Sequence, residues 1–364
     1  MYILADYWNF FQASLFPHLE KVLDEPMTDK LKQFLQVIDF IQIERFITSP
    51  YEQTMGRTRA DRRAIARAFI AKAVYDMPTT ELLIDRLQLQ PSLRRLCGFE
   101  RRSDIPSAAT FSRAFSEFAR LNLGDYTHEA LVRNHVGDKI VMHVSRDATE
   151  VTAREKPAKK VKPVPKPKGK PGRPKKGQEP PTKELKRVER QLTQTPEEAL
   201  AELSKVCDWG AKNDSKGNKH AWVGWKAHID WADGGIPLNM VTTSASVHDS
   251  QVAIPMARRT AQRAHSFYDL MDSAYDVPSI HKVSEELGHV AIIDPNKRRG
   301  DAVPMEPYRA LRYNERTTAE RGNSRLKDEF GFRHLRVRGH PKTHMHLMFG
   351  ILVLFADQLH KIFS

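Results

Sequence analysis

Three acidic residues occupy positions suited to binding divalent metal ions in phosphodiester chemistry. Two-metal phosphodiester cleavage needs carboxylates that hold the ions about 3.5 to 4 Å apart, one activating the nucleophile and the other stabilising the leaving oxygen. Asp147 lies late in a predicted strand, Asp272 follows the apolar run of another, and Glu320 lies on a predicted helix. A charged side chain at a buried strand is costly unless it has a partner or a function. These three residues are therefore candidate metal ligands.

Each acidic residue taken singly also has a structural interpretation. Asp147 could cap a turn, Asp272 could start one, and Glu320 could be a solvated helix residue. Asp269 and Asp276 flank Asp272 and are rival ligands. Asp272 is preferred because it ends the apolar strand.

The surroundings of Glu320 are more specific. The stretch YNERTTAERGNSRLKDEFGF contains Tyr313, Arg316, Glu320 and Lys327 at the spacing Y-x2-R-x3-E-x6-K. Offsets of four and seven residues place Arg316, Glu320 and Lys327 along one helix face. Two cations beside a metal-binding carboxylate are what a scissile phosphate and a DNA backbone require.

The order of the predicted elements explains how these residues could meet. Alternating or apolar runs predict five strands, in KIVMHVSRDATEV, HAWVGWKAHIDWADG, GIPLNMVTTSASV, HSFYDLMDSAYD and HVAIIDPNK. Helices alternate with the later strands, and two more follow, from about Arg316 to Phe332 and from Lys342 to Phe363. This is the order of ribonuclease-H-like α/β domains with a mixed sheet, in which the first and fourth strands are neighbours. We therefore expect a catalytic domain over residues 138–364, with Asp147 and Asp272 at one sheet edge.

The preceding residues predict an all-α N-terminal domain over 1–132. KLKQFLQVIDFIQIERFI and DRRAIARAFIAKAVYDM have apolar residues at the spacing of one helix face. Farther along, Ser107 and Thr110 are candidate N-caps, with Arg101, Arg102 and Arg113 nearby. This arrangement is compatible with a DNA-binding helix-turn-helix, and equally with an ordinary helical hairpin carrying solvated arginines.

A basic insert interrupts the catalytic domain at residues 154–190. It holds 15 Lys and Arg against four Asp and Glu, so +11 of the chain's net +13 comes from this segment. Its proline and lysine content and its lack of large apolar residues predict disorder. Its KPGRPKK stretch resembles an AT-hook, in which Arg173, followed by Lys175, would enter a narrow A·T minor groove. A non-specific phosphate-binding linker is the alternative, and either version predicts a steep salt dependence of DNA binding.

Other polar and aromatic residues in these stretches have competing interpretations. Asp249 is most simply an N-cap, and His248 beside it could approach the metal site. Lys226 and His228 could face DNA or form a solvated strand face. His340, His344 and His346 could form a metal cluster or a polar surface. Trp222, Trp225 and Trp231 could stack on a DNA base or pack in the core.

Composition narrows the class of protein. The chain has 364 residues, of which 40% are hydrophobic, enough for two domains with ordinary cores. Only Cys97 and Cys207 are present, which predicts a reducing cytosol and neither a disulfide framework nor a four-ligand zinc site. The apolar run Leu347–Ala356 is short of the roughly 20 residues of a membrane helix, so it predicts a buried helix and no membrane association.

From about Lys139 onward the chain resembles the bacterial insertion-sequence transposases of the DDE class that carry a Tyr-Arg-Glu-Lys signature. WVGWKAHIDWADGGIPL, SASVHDS and MDSAYD are similar to that family's strand and second-aspartate motifs. The resemblance implies that Asp147, Asp272 and Glu320 bind two Mg²⁺ ions, for which Mn²⁺ would substitute. It also implies that Tyr313, Arg316 and Lys327 contact transposon-end DNA.

The function implied is metal-dependent cleavage and strand transfer at terminal inverted repeats. The partners would be the double-stranded DNA of the transposon ends and of the target, bound by a homodimer in the bacterial cytoplasm at the nucleoid. The alternatives are a non-transposing nuclease and a domesticated DNA-binding protein on the same fold. Two departures leave the subgroup open: the stretch from Asp272 to Glu320 is too short for the β-rich insertion of some relatives, and the basic insert follows Asp147 instead.

Overall fold

In the residues that the structure describes, the protein has a mixed α/β architecture built on a six-stranded sheet. A computed structural model describes residues 27–47, 59–159, 185–213, 217–295 and 304–363. The strands are β1 (Ile140–Thr152), β2 (Asp208–Asn213), β3 (Lys219–Ala232), β4 (Ile236–Ser244), β5 (His265–Met271) and β6 (Val290–Ile293). Five of the six were predicted from the sequence.

Strand β1 is central. It pairs antiparallel with β3 on one side and parallel with β5 on the other. Strand β6 extends the sheet parallel to β5, and β3 also pairs antiparallel with β2 and β4. The predicted adjacency of the first and fourth strands, which are β1 and β5, is confirmed.

Strand β2 was missed because its sequence lacks a strand signal. DWGAKN is short and mostly polar and has a glycine in its centre, which disfavours a strand. The tertiary structure explains it, since Asp208–Asn213 pairs with the first half of β3. In this segment, strand pairing overrides local propensity.

Helices cover the sheet and form the N-terminal region. They are α1 (Asp29–Ile41), α2 (Arg62–Val74), α3 (Thr80–Leu89), α4 (Pro91–Cys97), α5 (Ala108–Arg120), α6 (Leu123–His135), α7 (Arg187–Arg190), α8 (Pro196–Ala201), α9 (Ser250–Ala261), α10 (Pro278–Glu286), α11 (Pro307–Tyr313), α12 (Thr317–Glu329) and α13 (His340–Phe363). The two predicted final helices correspond to α12 and α13.

The N-terminal helices and α13 share one hydrophobic core. The Phe69 ring of α2 stacks on Phe349 of α13 at 5.5 Å between centroids, and Phe40 of α1 lies 6.3 Å from Phe355. The same cluster of buried residues continues into β1 and β3. In the described residues, α1, α2, α5 and α6 therefore pack around α13, the last helix.

The segment compared above with a helix-turn-helix contains α4, a loop and α5. Ser107 is the N-cap residue of α5, as predicted, although its hydroxyl bonds to that of Thr110 at 3.2 Å and not to the helix backbone. Thr110 lies inside α5, so its prediction as an N-cap was wrong. Arg101 and Arg113 are exposed, and DNA binding by this region stays a prediction.

Helix α13 is buried, as predicted. Its 24 residues are long and apolar enough to cross a membrane, but 67% of its most apolar window is buried inside the protein. Phe355 and Leu354 are fully buried. Helix α13 is therefore the core helix around which the N-terminal helices pack.

A glycine sets the distance between α12 and the sheet. A Cβ atom on Gly322 would lie 2.5 Å from the Trp231 ring of β3, which is fully buried. Gly322→Ala is therefore expected to lower the free energy of unfolding by about 1–3 kcal/mol, the usual cost of overpacking. Urea denaturation of Gly322→Ala measures this cost, and Ser324→Ala, a substitution at an exposed position on the same helix, is the control. A Gly322→Ala protein as stable as the Ser324→Ala control would contradict the close helix–sheet contact.

Two buried histidines predict a loss of stability in acid. Burial lowers the pKa of His128 and of His346 from 6.5 to about 3. The unfolded chain therefore takes up these protons near pH 6.5 and the folded chain does not, so stability falls as pH decreases from about 6.5. Each ring contributes a slope of about 1.4 kcal/mol per pH unit.

The variant His128→Gln tests this pH dependence, because glutamine can still donate to the Pro237 carbonyl that His128 Nε2 contacts at 2.8 Å. Urea midpoints from pH 7.5 to 5 should show a flatter slope for His128→Gln than for the wild type. Exposed His265→Gln is the control for loss of a histidine as such. Equal slopes for all three proteins would contradict the assignment.

Candidate active site

The three candidate acidic residues surround the guanidinium of Arg316. Arg316 Nη2 lies 3.6 Å from Asp147 Oδ1 and 3.8 Å from Asp272 Oδ2. Arg316 Nη1 lies 2.8 Å from Glu320 Oε1. The structure therefore brings Asp147, Asp272 and Glu320 to a common cation, although they are 125 and 48 positions apart in the sequence.

Strand register explains why the two aspartates meet. In the parallel pair of β1 and β5, Ser145 is aligned with Leu270. Asp147 and Asp272 each follow two residues later, so they lie at the same level on neighbouring strands. Asp272 also caps the turn after β5, since its Oδ1 accepts from the Ala274 N–H at 2.9 Å.

Helix α12 supplies Glu320 and a residue that the sequence analysis missed. Asn323 Nδ2 donates to Asp147 Oδ2 at 2.9 Å, and Asn323 is only 7% exposed. Its position three residues after Glu320, on the same helix face, was the available signal. Glu320 itself is exposed, with 61% of its side chain accessible.

Burial and neighbouring carboxylates both disfavour the charged forms of Asp147 and Asp272. Burial raises the pKa of the Asp147 carboxyl to about 6, with Arg316 opposing the shift and Asp272 adding to it. Burial also raises the pKa of Asp272, with Asp249 and Asp294 adding to the shift. Arg316 is therefore the cation that favours ionisation of both carboxyl groups.

Lys226 is engaged within the protein. Its Nζ donates to Asp249 Oδ1 at 2.8 Å and to the Val247 carbonyl at 3.0 Å, and its side chain is 15% exposed. Asp249 is the N-cap residue of α9, as predicted, although its side chain makes no capping hydrogen bond. His228 is fully buried and bonds to the Thr243 hydroxyl, so the idea that it faces solvent or DNA was wrong.

Tyr313 and Lys327 lie at opposite ends of the signature. Burial raises the pKa of Tyr313 and lowers that of Lys327. Tyr313 precedes the turn that carries Arg316, whereas Lys327 is in the last turn of α12. Their contacts with DNA stay predictions, as does that of Arg316, whose guanidinium faces the carboxylates.

The rivals of Asp272 have other partners. Asp269 is 1% exposed and accepts from the Ser284 hydroxyl at 2.7 Å. Asp276 lies 3.2 Å from His281. Asp272 is the one among the three whose carboxylate approaches Arg316.

The remaining candidates are also located. His340 bonds to the Thr242 carbonyl, His344 bonds to the Thr242 hydroxyl and to Asp125, and His346 bonds to the Gly331 carbonyl. Among the described residues these side chains form no group that could hold a metal ion. The metal cluster proposed for them is therefore wrong. The tryptophans 222, 225 and 231 are at most 5% exposed, which supports core packing. Arg173 and Lys175 lie outside the described residues.

The donor set at this edge fits a hard divalent cation. Carboxylate oxygens are the ligands that Mg²⁺ prefers. The side-chain oxygen of Asn323 is buried beside Asp147 without a hydrogen-bond partner among the described residues. Within that part of the chain the carboxylates are not close enough to enclose one ion, because Arg316 lies between them.

Comparisons with known families agree with this geometry. A family model described as Transposase DDE domain matches residues 143–356, which is more than half of the chain. A second, described as Transposase domain (DUF772), matches residues 19–117. No curated protein and no solved structure matches the chain.

Proposed function

Because the chain belongs to the Transposase DDE domain family, we propose that it is an insertion-sequence transposase that cleaves and joins DNA at terminal inverted repeats. The observation that carries the proposal is the meeting of Asp147, Asp272 and Glu320 at Arg316. The parallel pairing of β1 with β5 supports a ribonuclease-H-like catalytic domain.

In this proposal Asp147, Asp272 and Glu320 hold two Mg²⁺ ions, or Mn²⁺ in their place. When bound, the ions supply charge neutralisation at the scissile phosphate and acidify a water molecule. Asn323 orients the Asp147 carboxylate through its hydrogen bond. Arg316 balances the acidic edge before the ions bind.

The DNA contacts follow from the charge around this site. Tyr313 and Lys327 flank the acidic residues along α11 and α12 and would contact the transposon end. Arg173 and Lys175 of the basic insert would add contacts, as in an AT-hook. Two transposon ends must be paired, which favours a homodimer on the DNA, in the bacterial cytoplasm at the nucleoid.

A strand-transfer assay separates this function from a nuclease on the same fold. We expect the wild-type protein with Mg²⁺ to nick DNA carrying the inverted repeats that flank its gene, and to join the freed 3′-hydroxyl to a target plasmid. The same flanking DNA with scrambled repeats is the control. Cleavage without joining would establish the nuclease alternative, and binding without cleavage would establish the domesticated DNA-binding protein.

A further inference from the structure

A large cavity lies away from the catalytic acids, where the N-terminal helices meet the end of α12. Its volume is about 600 Å³, and its walls come from α2, α5, α13 and the segment 330–338. Buried aromatic residues, including Phe69, Phe115 and Phe349, line its floor. The cavity is therefore apolar at its base.

The walls are strongly basic. The cationic residues that line the cavity are Lys72, Arg154, Arg336, Arg338 and Lys342. In the part of the chain that the structure describes, none of these five forms an ion pair, and Glu81 is the one carboxylate in the lining. Nearby Asp76 is 3.4 Å from His334. The walls thus carry an excess of positive charge, which Glu81 and nearby Asp76 offset only in part.

Lys72 is a partly buried member of this cationic set. Burial lowers the pKa of its ammonium to about 8, with Arg336 lowering it further and Asp76 and Glu81 raising it. An anion in the cavity would offset both the desolvation and the repulsion between the cations.

The cavity is connected to the catalytic site by two elements. Glu320 lies in the first turn of α12, and Phe330 is the residue that follows the helix. They are ten residues apart, or about 15 Å at the helical rise of 1.5 Å per residue. Strand β1 runs from Asp147 toward Arg154, on the cavity wall. The half-buried Lys327 lies between the two sites. A DNA duplex whose strand lies at the acidic residues can therefore reach the cavity within about half a turn of the DNA double helix.

We propose that this cavity is a second DNA-binding site, which takes backbone phosphates and an adjoining sugar of the substrate about four to seven base pairs from the cut. The proposal rests on the transposase function above. A phosphate group supplies negative charge to balance the five cations. The volume of the cavity is larger than one phosphate group would fill. The apolar floor accommodates the sugar.

The double variant Arg336→Gln/Arg338→Gln removes two exposed cations from the cavity, and neither side chain has an ion pair among the described residues. The control, Arg63→Gln/Lys282→Gln, removes the same charge from exposed positions outside it. Fluorescence anisotropy measures binding to a duplex of about 30 base pairs across a salt series.

We expect the cavity variant to bind DNA at least about tenfold more weakly than the control, and its log–log salt slope to be smaller by about 2. Thermal melting should show that both variants are folded. Lys342→Gln is the second cavity variant if the first does not fold. Equal affinity and slope in the cavity variant and the control would overturn the proposal.

Phosphate ethylation interference locates the contact on a duplex whose cut position has been mapped with the wild-type protein. Ethylation about four to seven base pairs from the cut should weaken binding of the wild type and have little effect on the cavity variant. Inorganic phosphate is the competing occupant. If it raised the Tm of the wild-type protein as much as duplex DNA does, the site would be for a free anion and the DNA assignment would be wrong.

The outcomes separate this proposal from the proposed function. The second site is supported if the cavity variant binds duplex DNA more weakly than the control but still cleaves it at saturating protein concentration. Wild-type cleavage with no effect of the cavity variant overturns the second site and leaves the transposase function intact. A wild-type protein that neither binds nor cleaves DNA overturns the function itself.

Discussion

Asp147→Asn is expected to lower metal-dependent DNA cleavage by at least about 10³-fold, because a metal ion contributes several kcal/mol to stabilisation of the transition state. Asparagine has nearly the same shape but removes the negative charge. It can still accept the Asn323 hydrogen bond through its side-chain oxygen. Cleavage rates with Mg²⁺ and with Mn²⁺ measure the effect.

Asp276→Asn is the matched control, because Asp276 has a separate partner in His281, at 3.2 Å. Glu320→Gln is a second test of the ligand set. Its control is Glu315→Gln, because Glu315 is exposed and lies in the turn before α12. Binding of duplex DNA should be retained in all four variants. Undiminished cleavage by Asp147→Asn or Glu320→Gln would rule out the proposed ligand set.

Arg316→Gln is expected to destabilise the metal-free protein by about 1–3 kcal/mol, since it leaves three carboxylates without their common cation. At the size of this chain that is a fall in Tm of several degrees. Melting in EDTA measures the loss. The exposed Arg321→Gln on the same helix is the control.

Divalent metal should reverse much of this loss. Mg²⁺ or Mn²⁺ provides positive charge at the same carboxylates, so we expect it to raise the Tm of Arg316→Gln more than that of the wild type. Cleavage should still be reduced, because Arg316 is also a proposed contact to the DNA. An Arg316→Gln protein with unchanged Tm in EDTA, or with no larger response to metal, would contradict the role of Arg316 as a balancing cation.

The predictable part of this structure depended on local periodicity and on spacing. Strands β1 and β5 have apolar runs, so these two strands could be predicted. Glu320 lies in a mostly polar helix, and its spacing from Tyr313, Arg316 and Lys327 was the signal that identified it. Pairing of β1 with β5 followed from the order of elements. The convergence of Asp147 with Asp272 followed in turn from that pairing.

The remainder depended on contacts between distant segments. Strand β2 exists because β3 pairs with it. The Lys226–Asp249 ion pair joins residues on different elements, and each residue has a simpler local interpretation. Asn323 is a common helix-surface residue until Asp147 is placed beside it. A pattern in one sequence does not predict such pairings, because the free energy that stabilises them comes from contacts in the tertiary structure.

The position of α13 has a consequence for protein synthesis. The ribosome makes the N-terminal helices first, yet their buried faces pack on residues 340–363. A nascent chain that already contains Asp147, Asp272 and Glu320 therefore exposes apolar surface until α13 emerges. The core that includes β1, β3 and α12 therefore stays incomplete until α13 has been made and has docked.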